Sequence, residues 1–232
     1  MRRETLEQLL ADRAAKRPVV LATDLRTGLE TLMYPTEDRL ESDLGVAVLK
    51  AAREAVYSDR SRAIEGPRGE LFLHVYNAPL RMFIIGAVHI AQPLSQIALV
   101  VGYDVVVIDP RRSFATAERF PGVELNTEWP DEALQALEPD RRSAIVTLTH
   151  DPKLDDPALI AALASEAFYI GSLGSPRTHG ARLERLRGEG CTEEALARIN
   201  GPAGLNVGAK SPAEIALAIM AQVTETLRQS AS

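Results

Sequence analysis

From Leu80 onward, short unbroken apolar runs alternate with longer amphipathic stretches. Met82–Ile85 is one such run, closed by Gly86. Val105–Asp109 (VVVID), Ala144–Thr149 (AIVTLT) and Ala167–Gly171 (AFYIG) are three more. Runs of this length, rich in β-branched residues and bounded by turn formers, predict strands covered on both faces. The spacing between and after them predicts helices at about 91–101, 157–166, 176–188, 192–199 and 212–228. Pro93 is tolerated in the first turn of its helix. The last helix opens with Ser211, Pro212 and Glu214 at N-cap, N1 and N3, the pattern of a capping box. Between 113 and 130 the only regular feature predicted is a short edge strand at Val123–Leu125.

Before Leu80 the rhythm is mixed. Residues 4–16 predict a polar helix and 18–25 a strand, which Arg26-Thr27-Gly28 turns into a second strand ending at Leu32–Tyr34. Residues 42–57 carry Leu44, Val46, Val48, Leu49, Ala52 and Val56 at near-helical spacing. Glu70–Tyr76 alternates like a further strand, and Asn77-Ala78-Pro79 reads as a linker. The expected fold class is α/β: a small mixed α/β domain at 1–79, then a Rossmann-like parallel-sheet domain at 80–232.

Composition narrows this picture. With 46% apolar residues over 232 positions the chain can bury a sizeable core. Its 26 basic and 32 acidic residues give a net charge of −6, which argues against nucleic-acid binding through bulk positive charge. The single cysteine, Cys191, excludes an intrachain disulfide and any multi-cysteine zinc site, and points to a reducing cytoplasm. The opening MRRETLEQLL places glutamates where an export signal needs an apolar stretch. The uncharged run Met82–Tyr103 is broken by Gly86, His89, Gln92, Pro93, Ser95 and Gln96, so it reads as strand, loop and helix and not as a membrane span. The expectation is a cytoplasmic protein without membrane or nucleic-acid partners.

In parallel sheets of this kind ligands bind beyond the carboxyl ends of the strands, so the loops there carry the candidate chemistry. Gly86-Ala87-Val88-His89-Ile90-Ala91 follows the G-x-G-x-x-G/A pattern of dinucleotide loops with Val88 in place of the second glycine. Asp109 lies 23 residues after Gly86, near the spacing of the acid that reads a ribose. A Cβ at Val88 should obstruct a dinucleotide in its usual pose. Arg111 and Arg112 offer guanidinium groups suited to phosphate, or form a solvated pair. Thr149-His150-Asp151-Pro152-Lys153-Leu154-Asp155 offers His150 and Asp151 for proton transfer or ligand contact, with Asp155 or Asp156 the expected helix N-cap. Gly171-Ser172-Leu173-Gly174-Ser175 before Pro176 reads as an anion cradle at a helix N-terminus. Gly201–Gly208 is a further glycine-rich loop, for close ligand approach or a sharp turn.

Other candidates have plainer readings. His74 alternates within a strand, and His179 reads as part of a solvated face with Arg177 and Arg182. Trp129 reads as packing and Cys191 as incidental. No cluster has metal-ligand spacing, and no G-x-S-x-G elbow is present.

At these loops the sequence resembles the XdhC/CoxI family of molybdenum-enzyme maturation factors. The resemblance is carried by FIIGAVHIA (83–91), VVVIDPR (105–111), THDPKLDD (149–156), YIGSLGSPR (169–177) and GPAGLNVGAKSPAEIALAI (201–219). It implies a cytoplasmic chaperone that binds the molybdenum cofactor, a pterin with a terminal phosphate, or its cytosine dinucleotide form. It further implies that the chaperone protects the cofactor, assists its sulfuration by a cysteine desulfurase, and hands it to an apo xanthine dehydrogenase-type hydroxylase. The implied cofactor-binding residues are Gly86, Val88, His89, Asp109, Arg111, His150, Asp151, Gly171, Ser172, Gly174 and Ser175. Arg111 and the 171–175 amides would face the phosphate; His89, His150 and Asp151 would face the pterin or the metal-bound groups.

Two departures stand out: the family usually has glycine at Val88, and it commonly has a Ser-Gly-Gly-Cys-like stretch where this chain reads Leu40-Glu41-Ser42-Asp43-Leu44. A thiolate there cannot be supplied by this chain, which fits a divergent branch, a partner of a second paralogue, or a binder without sulfur chemistry. Two other readings stand beside the chaperone: an NAD(P)-dependent oxidoreductase, and a scaffold without ligand that acts through partner contacts, as a homo-oligomer or with a paralogue.

Overall fold

Strand period and helix period meet in the C-terminal part of the chain to give one sheet with a core on each face. The computed structural model describes residues 2–35 and 44–229. Positions 36–43, which include Leu40–Asp43 and the expected start of the 42–57 helix, lie outside the described residues. The chain divides into two compact units, meeting at Ala78–Pro79.

In the first unit, helix α1 (Arg3–Ala14) precedes strands β1 (Val19–Asp24) and β2 (Glu30–Met33). Helix α2 (Val46–Ser58) and strands β3 (Arg62–Gly66) and β4 (Gly69–Tyr76) follow. The strands form an antiparallel sheet in the order β2-β1-β4-β3. Helix α2 buries Val48, Leu49, Ala52 and Val56 against Val20, Ala22, Leu71 and Leu73. Strand β3 was not predicted, because Arg62–Gly66 holds one large apolar residue, Ile64, and no buried one, as suits an edge.

The second unit runs β5 (Leu80–Ile85), α3 (Ala91–Val100), β6 (Tyr103–Ile108), β7 (Glu124–Asn126), α4 (Pro130–Leu137), β8 (Ser143–Thr147) and α5 (Pro152–Ala164). It continues with β9 (Tyr169–Ser172), α6 (Pro176–Gly188), α7 (Glu193–Leu196), β10 (Ile199–Asn200) and α8 (Pro212–Gln229). All six strands are parallel, in the order β10-β9-β8-β5-β6-β7. The fold is therefore α/β with a Rossmann-like parallel sheet, preceded by a smaller α/β unit with an antiparallel one.

Alternate residues of each strand serve opposite cores. Met82, Ile84, Val105, Val107, Ala144 and Val146 pack with α3 and α8 through Leu94, Ala98, Ile219 and Val223. Phe83, Ile85, Val106, Ile108, Ile145 and Ile170 pack with α4, α5 and α6 through Leu134, Leu159, Ala162 and Leu186. Each fully buried Val, Leu, Ile, Phe or Met among them contributes about 1.5–3 kcal/mol. The β6–β7 pairing places a short edge strand at 124–126, where Val123–Leu125 was expected. The Ser211–Glu214 capping box forms: the Glu214 carboxylate accepts from the Ser211 amide at 2.8 Å, and Ser211 Oγ from the Glu214 amide at 3.3 Å.

Three expectations need correction. Helix α5 starts at Pro152, not 157, because Asp151 is the N-cap and Pro152 takes N1, leaving Pro157 inside the helix. The 192–199 segment is only one helical turn, after which Ile199–Asn200 pairs with β9. Helix α4 was missed, although Pro130 at N1 and Asp131 and Glu132 in its first turn are start signals. Among the described residues no helix is long and apolar enough to cross a membrane.

Candidate functional site

The strand order reverses between β5 and β8, and in parallel sheets of this kind ligands bind beyond the carboxyl ends at that switch point. Gly86, leaving β5, has φ of +105° and donates its amide to the Ile108 carbonyl at 2.8 Å. A Cβ there would sit 2.5 Å from Thr149 Cγ2, so only glycine lets the loops after β5 and β8 touch. Val88 packs on the core shared with α3, and His89 is exposed.

Asp109 is fully buried, and its two oxygens are committed within the chain. Oδ2 accepts from the Ala87 amide (2.8 Å) and Arg111 Nη2 (2.7 Å). Oδ1 accepts from the Arg111 amide and Arg111 Nε, both at 2.9 Å. Those four donors fill the roughly four lone-pair sites of a carboxylate. Burial pushes the Asp109 carboxyl up, but the Arg111 and Ala87 hydrogen bonds outweigh it and hold the group below the usual range. The Arg111 guanidinium also lies 4.6 Å over the Phe114 ring and keeps part of its surface exposed. An acid that reads a ribose must offer its oxygens to two hydroxyls; Asp109 has given them to Arg111 and to the loop after β5. The ribose position is thus held by a neutral ion pair whose exposed half is the Arg111 guanidinium.

A second carboxylate shapes the loop after β8. Asp155 is 2% exposed; Oδ1 accepts from Thr149 Oγ1 at 2.7 Å, and Oδ2 accepts from the His150 amide at 3.0 Å. Those bonds hold His150 in the left-handed region, φ +61°, with its ring exposed. Burial raises the Asp155 carboxyl above its ordinary value, opposed by the Thr149 hydrogen bond and the charge of Arg182. The N-cap of α5 is therefore neither Asp155 nor Asp156 but Asp151, whose Oδ1 accepts from the Lys153 amide at 3.0 Å. Asp151 and Asp155 both act electrostatically on Arg111, so the loops after β6 and β8 face a common region.

The glycine-serine loop after β9 is shorter than its sequence suggests. Gly171 and Ser172 belong to the strand and are buried, and the Ser172 and Thr147 hydroxyls share a hydrogen bond of 2.5 Å. Only Leu173, Gly174 and Ser175 lie beyond the strand, with Ser175 Oγ accepting from the Thr178 amide as N-cap of α6. The solvated face expected for His179 and Arg182 is also corrected. Arg182 is 2% exposed, and the buried Nδ1 of His179 faces Gly201. Their spacing with Leu186 (i, i+3, i+7) was the available signal for one inward face. Trp129, expected to pack, is 49% exposed. Loop 201–205 is tied down by Gly204 N–H donating to Gln222 and Ala203 N–H to the Ser172 carbonyl.

The structure thus gathers Gly86, His89, Asp109, Arg111, His150 and Asp151 at the ends of β5, β6 and β8. Gly174 and Ser175 stand one strand further on, and Gly171 and Ser172 are withdrawn into the sheet. Sequence reasoning did not foresee Thr149 and Asp155 as the groups that set the path of the second loop. Among the described residues no group of histidine, cysteine and carboxylate could hold a metal ion.

Residues 82–223 match the family model described as the XdhC Rossmann domain. The chain belongs to the XdhC family. It is 31% identical over 144 residues to the molybdenum cofactor insertion chaperone PaoD of Escherichia coli K12, covering 62% of this chain and 39% of PaoD. It is 32% identical over 176 residues to YqeB of the same organism, covering 74% of this chain and 31% of YqeB. A probable xanthine dehydrogenase subunit of Bacillus subtilis 168 is 28% identical over 160 residues, covering 68% of this chain and 46% of that protein. The chain thus spans less than half the length of each of these relatives. A crystal structure described as a xanthine dehydrogenase from Bacillus halodurans shares the fold, with a TM-score of 0.71 and 24% identity over 98% of this chain and 65% of the other.

Proposed function

We propose that this chain is a maturation factor that binds the molybdenum cofactor and delivers it to a molybdenum hydroxylase of the xanthine dehydrogenase type. The observation that carries this reading is the closed Asp109–Arg111 pair at the crevice of an XdhC Rossmann domain. It withdraws the acid that would read the ribose hydroxyls of NAD and leaves a partly exposed guanidinium suited to an anionic group beside it. The 31% identity to an insertion chaperone supports the same direction.

The residues present fit such a group. Gly86 lets the loops after β5 and β8 close on each other, and Asp109 fixes the Ala87 amide and the Arg111 fork. Arg111 would meet anionic groups of the cofactor; His89 and His150 would offer exposed ring nitrogens to its polar edge, with Asp151 beside them. Gly174 and Ser175 are the part of the glycine-serine loop still available for a phosphate. In a hydroxylase the cofactor supplies the redox centre at which substrate is oxidised. The work of this chain is to bind, shield and release it. In this reading the factor works in the cytoplasm, a cysteine desulfurase supplies the sulfur, and the chain pairs with itself or with a paralogue.

The test is retention. The full chain is mixed anaerobically with freshly released cofactor, as the plain pterin and as the cytosine dinucleotide in separate arms, desalted, and assayed for molybdenum and oxidised pterin. Equimolar retention of both in either arm is expected, with no retention of NADH or NADPH run in parallel. Retention of a nicotinamide nucleotide alone overturns the proposal.

A further inference from the structure

Helix α6 carries a buried charge for which the described residues supply one hydrogen-bond acceptor. Arg182 is the largest fully buried side chain among the described residues, yet only one of its five N–H donors is spent: Nη2 donates to the Leu173 carbonyl at 2.8 Å. Its Nε and Nη1 are buried without a partner. The acids that feel it are engaged elsewhere. Both oxygens of Asp155 accept from the Thr149–His150 loop, and Asp156 forms a two-point pair with Arg185 at 2.6 and 2.9 Å. One turn back on the same inward face, His179 Nδ1 is likewise buried without a partner. Buried polar groups are ordinarily satisfied, so three orphaned nitrogens on one helix face call for an explanation.

The surroundings indicate what they serve. Nη2 lies 3.8 Å from where a Cβ of Gly174 would stand, directly behind the loop that leads into α6. Beyond it, the amides of Gly174 and Ser175 donate to no acceptor among the described residues. The first turn of this 13-residue helix adds its dipole to the same place. A buried guanidinium acts through low-dielectric surroundings and is screened less by salt than a surface lysine.

We infer that the loop Leu173–Ser175 with the first turn of α6 is a binding site for a dianionic phosphate group, and that Arg182 is its buried counter-charge with His179 beside it. This deepens the cofactor reading, on which it rests only for the identity of the phosphate's owner: a terminal phosphate would be anchored at β9–α6, one strand away from Arg111. Burial, and then the neighbouring Arg182, lower the His179 pKa, which suits a site that waits for an anion.

The probes are inorganic phosphate and methyl phosphate, titrated into the full chain by calorimetry and followed by thermal shift. Wild type is expected to bind both. Ser175→Asp keeps an N-capping oxygen but places a carboxylate where the anion would lie, so it should weaken binding at least about tenfold with the helix intact. Arg182→Met removes a buried charge with unmatched donors; it should lose phosphate binding without a large loss of melting temperature, because such replacements are often neutral or stabilising. Undiminished phosphate binding by Ser175→Asp, or no binding of either probe by wild type, overturns the site. Phosphate binding without retention of the pterin cofactor upholds the site and sinks the cofactor reading instead.

Discussion

The loops that follow β5 and β9 both carry glycines and both lead into helices of one sheet, yet their polar groups are spent in opposite ways. After β5 the buried charge is matched internally, while the Val88, His89 and Ile90 amides donate to no acceptor among the described residues. The Gly86 amide has the Ile108 carbonyl, the Ala87 amide has Asp109, and Asp109 is filled by Arg111. After β9 the amides of Gly174 and Ser175, Nε and Nη1 of Arg182 and Nδ1 of His179 have no partner among the described residues. A matched buried charge keeps one arrangement with or without a ligand, whereas a buried charge with idle donors lowers its free energy only when a ligand completes it. The glycine-rich pattern alone does not distinguish these cases; what separates them is where the nearest charged side chain places its hydrogen bonds.

The closed region can be broken most severely at its centre. Asp109→Asn would turn an amide N–H toward the donors now held and leave Arg111 without its charge partner. A loss of about 3 kcal/mol is expected in urea unfolding monitored on the second unit. A loss below a few tenths would show that the pair is ornamental. A smaller loss, about 2 kcal/mol, is expected for Gly86→Ala, from the positive φ together with the approach to Thr149 Cγ2. Adding Thr149→Ser removes that methyl and keeps the hydroxyl on Asp155, so the double variant should recover part of the loss but not the part due to φ.

The smallest effect sharpens the open region. The folded-state pKa of His179 lies below its ordinary 6.5, so the unfolded chain binds the proton more readily. Stability is then fully present above pH 6.5 and declines as pH falls from 6.5 through the folded value. Melting temperature recorded across that window should drop less for His179→Leu than for wild type. Phosphate should flatten the slope in wild type, since an anion beside the ring restores its affinity for the proton.

Much of the second unit was legible in the sequence because its strands are continuous β-branched runs and its helices carry their own caps, as at Ser175-Pro176 and Ser211-Pro212. The misreadings share a physical cause. Pro157 looks like a first-turn proline but sits inside α5, because Asp151-Pro152 already starts the helix. Arg62–Gly66 is an edge strand whose side chains are never fully buried, so it leaves little hydrophobic trace. The site was legible as a set of loops: Gly86, Asp109, His150 and Gly174 all stand at strand ends. The partners were not. That Asp109 would turn to Arg111 and Ala87, that Asp155 would reach back to Thr149, and that Arg182 would be interior each depend on strands brought together by the sheet order. Composition around 176–188, with five arginines and histidines among thirteen residues, reads as surface until Leu186 is known to be buried.

The hold of Asp155 on the His150 main chain has a bearing on how this surface can diversify. The turn is drawn by a carboxylate inside α5 gripping backbone and a threonine hydroxyl, so the imidazole takes no part in keeping the turn in shape. The scaffold acts as a socket and residue 150 as a removable bit. Asparagine, which tolerates left-handed backbone, or glycine can take the histidine's place with the path of the chain unchanged. Chemistry at the mouth of the crevice can thus be rewritten one side chain at a time, while the frame that presents it is kept in the buried layer beneath.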